Sequence, residues 1–211
     1  MKKVLFLAVV LGFVVFFSLS ALAIPIDITI GFEPASQIVP VGESVSVDLV
    51  ISGLGDHSEP SLGAFDLDIH FDPTILAFDD ATFGDPDLGD QVDMSGDAAL
   101  FDFLIGPGLY LGAFVISPGV LDIFEVSVDS ASDLNSNQAG SFTLATLTFD
   151  TLAVGTSSLD ITIDSLGDAY GNPLSADVQS GSIAPVPEPA TFILFGFGLG
   201  GIGILRRKKV I

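Results

Sequence analysis

Hydrophobic and polar residues alternate with a period of two along several stretches of the chain. Apolar side chains occupy every second position in four runs, at residues 26–30, 45–49, 65–71 and 159–163. Successive side chains of a β-strand point to opposite faces, so this alternation predicts strands with one buried and one solvated face. The four runs therefore indicate a sheet protein whose strands share a core on one side only.

Four further apolar runs are candidate strands, at residues 99–105, 109–116, 123–128 and 142–149. In the last of them the apolar positions change phase between Leu144 and Ala145. A β-bulge near Ala145 and Thr146 would return both sets of side chains to the core.

Clusters of glycine, proline and asparagine separate the runs at intervals of about 8–12 residues, which is typical of an all-β sandwich. No amphipathic helix of useful length and no repeat of about 20–50 residues is evident. The expected fold class is all-β, a single sandwich of about nine strands that occupies residues 24–184.

Charge is divided between the ends and the middle of the chain. The six Lys and Arg residues lie within the first three or the last six positions, and all 27 Asp and Glu residues lie between Asp27 and Glu188. A domain this acidic repels nucleic acid and anionic lipid, so we expect no nucleic-acid partner. The chain has no cysteine, so its stability cannot depend on disulfides.

The N-terminus has the layout of a secretory signal peptide. Lys2 and Lys3 precede an apolar run at residues 4–19, and Ala21 and Ala23 supply the small residues that a signal peptidase reads. We expect export and cleavage after Ala23, which gives a signal peptide of residues 1–23. The alternative, a permanent anchor, would require a longer apolar run.

The C-terminus carries a second membrane signal. An uncharged run at residues 190–205 predicts a short transmembrane helix of about 24 Å, against about 30 Å for a bilayer core. Its basic stop consists of Arg206, Arg207, Lys208 and Lys209. Positive flanks stay in the cytoplasm, so the acidic domain is expected on the other side of the membrane.

Pro187, Glu188 and Pro189, followed by this glycine-rich helix and basic tail, resemble a PEP-CTERM sorting signal at residues 185–211. The resemblance implies that an exosortase, a membrane transpeptidase of Gram-negative bacteria, recognises residues 187–189 and processes the protein. The chain would be exported across the inner membrane, anchored transiently, and then reach the cell surface or the extracellular space. The alternative is a plain single-span anchor.

The middle of the chain resembles the cohesin domain, a jelly-roll β-sandwich related to some carbohydrate-binding modules. The matching stretches are residues 41–47, 63–73, 140–149, 155–159 and 168–174. The resemblance implies a partner-binding module, because cohesins bind dockerin domains through one exposed sheet face.

Asp66, Asp68 and His70 project from one face of a single predicted strand, with about 7 Å between alternate positions. They could form a partner-binding face or hold a cation. The alternative is an ordinary solvated strand face.

Two acidic segments invite comparison with calcium-binding loops. Residues 133–137 mimic the start of a calcium loop, but Gln138 replaces the required glycine and Leu144 the final glutamate, so an EF-hand or dockerin loop is rejected. The acidic stretch at residues 78–97 could bind Ca²⁺ weakly at the surface, or could be a charged, flexible loop. No dedicated metal site and no cofactor are expected.

No residue is assigned a catalytic role. The chain has no cysteine nucleophile, and its two histidines accompany no serine-nucleophile motif. We expect a non-catalytic adhesion or binding domain at the cell surface or in the extracellular matrix. A carbohydrate-binding module for exopolysaccharide is the alternative, although the chain has no Trp and its Phe residues mostly follow the core phase. A small glycoside-active enzyme is a second alternative, because such an enzyme needs only two carboxylates.

Overall fold

Eleven strands and two short helices form residues 27–188, the part of the chain that the computed structural model describes. The strands are β1 (Ile28–Glu33), β2 (Ser36–Pro40), β3 (Ser44–Ser52), β4 (Leu62–His70), β5 (Leu76–Phe83), β6 (Leu111–Ser117), β7 (Val120–Val126), β8 (Ser141–Thr151), β9 (Ser157–Asp168), β10 (Ala176–Val178) and β11 (Gly181–Val186). The helices are α1 (Asp97–Ile105) and α2 (Ala131–Asn137).

The two predicted membrane signals fall mostly outside the described residues. Ala21 and Ala23, the helix at 190–205, Pro189 and the basic residues at 206–209 all lie there. Within residues 27–188, no helix has the length and apolar character needed to cross a bilayer.

The strands form two sheets, with the orders β10-β1-β3-β8-β5 and β2-β11-β9-β4-β7-β6. The pairs β1/β10 and β2/β11 are parallel, and the other neighbouring strands are antiparallel. The predicted all-β sandwich is therefore confirmed, with eleven strands in place of about nine.

The alternating runs pack between the sheets as predicted. Every second side chain of β3 and β4 is buried, and Phe149 of β8 lies near the centre of the core. The Phe149 ring makes edge-on contacts with Phe71 and Phe78, at centroid distances of 5.3 and 6.0 Å. Each fully buried side chain of this size contributes about 1.5–3 kcal/mol relative to exposure.

The predicted bulge is present in β8. Leu49 of β3 pairs with Ala145, but Val50 pairs with Thr143, so Leu144 is the extra residue. Phe142, Leu144 and Ala145 are all buried despite the change of phase. The bulge lies one residue before the predicted position.

The predicted strand at residues 99–105 is wrong, because these residues belong to α1. The Asp93 carboxylate accepts hydrogen bonds from the amides of Ala98 and Ala99 and so satisfies the N-terminus of the helix. At the other end, Asp102 accepts hydrogen bonds from four consecutive amides, at residues 108–111, and fixes the turn into β6.

Residues 133–137 lie in α2, not in a calcium-binding loop. The Ser130 hydroxyl caps this helix by accepting a hydrogen bond from the Asp133 amide. Gln138, at the position where a calcium loop needs glycine, is fully buried. Its side chain accepts from the Leu62 amide and donates to the carbonyls of Leu62 and Gln91.

Candidate functional site

Asp66, Asp68 and His70 lie on the outer face of β4, because they alternate with the buried Phe65, Leu67 and Ile69. β4 is an inner strand of its sheet, between β9 and β7. The three predicted residues therefore share one face and are flanked on both sides by other strands.

Two further aspartates join them across the strand pairs. Asp68 lies opposite Asp122 of β7 and Thr162 of β9, and Asp164 also lies on β9. We call Asp66, Asp68, Asp122 and Asp164 the acidic face. Like charges in direct cross-strand positions repel one another, so this arrangement costs stability.

The crowding changes the chemistry of Asp122. Burial and repulsion from Asp66, Asp68 and Asp164 raise the pKa of Asp122 to about 6. Its Oδ1 atom is buried and has no hydrogen-bond partner among residues 27–188. Asp122 is thus a carboxylate whose charge a basic or hydrogen-bonding partner would stabilise.

His70 has neighbours of its own at one end of this face. Its Nε2 atom lies 2.9 Å from the Thr162 hydroxyl, and Asp160 of β9 lies directly opposite. Hydrogen bonds from Ser180 and Ser158 lower the pKa of Asp160, and His70 adds a smaller effect in the same direction. His70 therefore contacts Thr162 and acts on Asp160 at the end of the acidic face.

An apolar strip adjoins the acidic face. Phe114 of β6 lies opposite Asp122, and its ring centroid is 6.3 Å from that of Phe124 on β7. Ile116 follows on β6 and is 58% exposed, whereas Val115 lies opposite the buried Leu121 and so points to the other side of β6. Phe114 is an exception among the Phe residues, which were expected mostly in the core, because it is 48% exposed on the edge strand β6.

A groove of about 630 Å³ opens between β5, α1 and β6. Phe78, Phe83, Phe103 and Phe114 line it, together with the carboxylates of Asp79 and Asp80. Phe103 is 85% exposed, and Ala98 and Asp102 are the buried residues of α1. The groove could not be predicted from the sequence, because the apolar run of α1 was interpreted as a strand.

The acidic stretch at residues 78–97 is more ordered than the sequence suggested. Gln91, Val92 and Asp93 are buried, and the Asp85 carboxylate accepts from the amides of Asp87, Leu88 and Thr143. The expected flexible loop is thus corrected to one held by internal hydrogen bonds. Across residues 27–188, no three His, Cys, Asp or Glu side chains form a ready-made metal cluster.

Comparison with known proteins identifies the C-terminal segment first. The model of the PEP-CTERM protein-sorting motif matches residues 185–209. The chain therefore ends in a PEP-CTERM sorting signal. A search of the curated proteins found no match to the sequence.

The sandwich is similar to solved cohesin modules. The sixth cohesin of scaffoldin B from Acetivibrio cellulolyticus, solved with a dockerin, is 18% identical and covers 76% of this chain and 99% of its own, with a TM-score of 0.55. The seventh ScaB type I cohesin from Pseudobacteroides cellulosolvens is 14% identical over 77% and 94%, with a TM-score of 0.57. A non-cellulosomal cohesin from Archaeoglobus fulgidus is 14% identical over 79% and 96%, with a TM-score of 0.52. The domain has the cohesin fold.

The matched sorting motif begins within the last strand of the sandwich, because Pro185 and Val186 belong to β11 and pair with β2. β11 ends at Val186, and Pro187 and Glu188 come next and are exposed. Two of the three predicted recognition residues therefore stand free of the sandwich, and the third, Pro189, lies outside the described residues.

Proposed function

We propose that this protein is an exported, exosortase-sorted binding module with no catalytic role. Residues 1–23 form the signal peptide, residues 24–184 the cohesin-like domain, and residues 185–211 the sorting signal. An exosortase recognises Pro187, Glu188 and Pro189 after the 190–205 helix and the 206–209 basic stop have held the chain in the inner membrane of a Gram-negative cell. The processed domain then acts at the cell surface or in the extracellular matrix.

The acidic face and its apolar strip support partner binding by this domain. Four carboxylates crowd together on one sheet face, and two aromatic rings lie at their border. A protein that brings basic side chains to the aspartates and apolar side chains to Phe114 and Phe124 would relieve the repulsion and cover the strip. One of the similar cohesins was solved in a complex with a dockerin, which is consistent with a protein partner here.

Capture of partners from the organism's own secretome tests this proposal. The full-length protein should retain a partner whose affinity falls by at least about a hundredfold when Asp66 and Asp68 are both changed to Asn, because two charge pairs of about 1.5 kcal/mol or more disappear. Asp27→Asn with Asp177→Asn is the matched control, since both residues are exposed and lie away from this face. Equal capture by the two double variants would refute the assignment of the face.

A second candidate function, carbohydrate binding, has its own observation. The groove between β5 and α1 combines exposed phenylalanine rings with carboxylates that can accept sugar hydroxyls. On an array of bacterial exopolysaccharides, Phe103→Ala would remove binding if the groove holds sugar and leave the protein partner of the acidic face unaffected. Absence of any glycan signal from the unmodified protein rejects this second function.

A further inference from the structure

Glu125 occupies a core position on β7. It is in phase with the buried Leu121 and Ile123, and its cross-strand neighbours are Phe65 of β4 and Leu111 of β6. The residue has 0% exposure. Neither of its carboxylate oxygens has a hydrogen-bond partner within residues 27–188. A buried carboxylate without a partner is costly and rare, so something must compensate it.

The side chains that face Glu125 are also acidic. The Asp90 carboxyl lies within hydrogen-bond reach of Glu125, and Asp93 is close enough to repel it. Both belong to the loop between β5 and α1, which covers this part of the core. Two acceptors at such a distance need a positive charge or a proton between them.

The loop holds these carboxylates in place. One oxygen of Asp90 accepts from the amides of Val92 and Asp93, at 2.9 and 3.0 Å. Both oxygens of Asp93 are used by the amides of Ala98 and Ala99. Asp90 therefore keeps one oxygen for Glu125, and Asp93 contributes mainly negative charge.

Residues 27–188 contain no Lys or Arg that could neutralise this group. No Lys or Arg occurs between residues 4 and 205. Of the two histidines, His57 lies 3.7 Å from Asp56. Glu125 lies opposite Phe65 of β4, whereas His70 is the last residue of that strand. Within residues 27–188, no side-chain cation is thus available to Glu125.

We propose that Glu125 and Asp90 bind one Ca²⁺ ion beneath the β5–α1 loop. Ca²⁺ takes six to eight oxygen ligands in flexible geometry, so two carboxylates can be completed by loop carbonyls and water. Mg²⁺ is less suitable, because it demands near-octahedral geometry and gives up its water reluctantly. The ion would join the loop that precedes α1 to β7 and stabilise one wall of the groove.

The competing explanation is a proton. Burial, with repulsion from Asp90 and Asp93, raises the pKa of Glu125 to about 10, so a cation-free protein would keep this carboxyl neutral and hydrogen-bonded to Asp90. Binding of Ca²⁺ would displace that proton. The two states differ in calcium dependence and in the infrared absorption of the carboxyl group.

The test uses full-length protein in mild detergent, stripped with a chelator and titrated with CaCl₂. We expect Tm to rise by about 5–10 °C at a hundredfold excess over Kd. Glu125→Gln and Asp90→Asn should each weaken calcium binding at least about tenfold, because each removes a charged ligand. Asp87→Asn is the matched control, since Asp87 is an exposed residue of the same loop.

The outcomes separate the explanations. Loss of the calcium-dependent rise in Glu125→Gln, with the rise kept in Asp87→Asn, supports the site. An equal rise in all variants would mean general screening of the acidic surface and would overturn it. A protonated-carboxyl infrared band that persists in saturating CaCl₂ and disappears in Glu125→Gln would also overturn it, because the proton would then occupy the place assigned to the ion.

Discussion

Asp122 of β7 and Asp68 of β4 are direct cross-strand partners on the outer face of their sheet. Two carboxylates in directly opposite positions repel each other, whereas opposite charges there would attract. With Asp66 and Asp164 nearby, the fold retains a local repulsion that replacement of one aspartate by asparagine would relieve. Its retention is consistent with a partner that supplies the missing positive charge.

Asp122→Asn should stabilise the free protein at neutral pH. The pKa of Asp122 is raised from 3.8 to about 6, so the folded state holds this proton more tightly than the unfolded state. Protonated Asp122 therefore stabilises the folded state fully below about pH 4, and this contribution to the free energy of unfolding is lost as pH rises through about 6. The variant should therefore melt at a higher temperature than the wild type at pH 7.5 and at a similar temperature at pH 4.

Thermal unfolding at the two pH values measures this difference. Asp177→Asn is the control, because Asp177 is exposed on β10 in the other sheet. An equal rise in melting temperature for Asp177→Asn at pH 7.5 would show that the effect comes from net charge and not from the acidic face.

Low pH should weaken the hydrogen bonds that the Asp102 carboxylate accepts at the end of α1. Burial acts to raise the pKa of Asp102, but hydrogen bonds from Tyr110, Gly108, Leu109 and Leu111 outweigh it and lower the pKa below 3.8. A lowered pKa means that the charged carboxylate stabilises the folded state above about pH 4, and that this contribution disappears as pH falls through the folded-state value.

Asp102→Ala should cost about 2–3 kcal/mol at pH 7, because it leaves four partly buried amides without their acceptor. The cost should shrink as pH falls through the lowered folded-state pKa, because the wild type then loses the same interaction. Urea unfolding at a series of pH values from 7 downward, with Asp97→Asn of the same helix as control, measures the effect. A cost that does not depend on pH would contradict the electrostatic origin.

Gln138→Ala should be among the more damaging single changes to a polar residue. The Gln138 side chain is buried and bonds to the backbone of Leu62 and Gln91, so truncation leaves three backbone groups unpaired and opens a cavity. We expect a loss of about 3 kcal/mol. Gln37→Ala, which removes one exposed bond to the Ser46 carbonyl, should cost less than about 1 kcal/mol. Similar urea unfolding midpoints for Gln138→Ala and Gln37→Ala would contradict the assigned role of Gln138.

Processing of both ends can be followed by intact mass. The mature protein from its own host should lack residues 1–23 and the basic stop at 206–209. Glu188→Ala should block removal of the basic stop but not removal of residues 1–23, because the signal peptidase recognises the signal peptide independently. Mature protein that still carries the basic stop would contradict exosortase processing.

Sequence analysis predicted the strands with one solvated face well. β3, β4 and β9 alternate cleanly, and the phase change at Leu144 exposed the bulge. It failed at α1, where an apolar run has no strong period, and the Asp93 carboxylate that caps it lies outside the helix. A carboxylate that accepts hydrogen bonds from outside the helix leaves no mark on the hydrophobic periodicity.

The candidate site was predicted only in part for a related reason. Asp66, Asp68 and His70 alternate within one strand, so the sequence identified them together. Asp122 joins them through the register of β4 and β7, which alternation within a single strand cannot specify. Glu125 was hidden in an apolar run, because its burial depends on a loop more than 30 residues away in sequence.

The position of β11 gives the sorted protein a mechanical property. This last strand is hydrogen-bonded to β2 on one side and β9 on the other, and it runs directly into the exposed Pro187. If the chain is tethered at its C-terminus, a pull on a partner held by the domain would reach the sandwich through β11. The hydrogen bonds of β11 to both neighbours would then resist that force together.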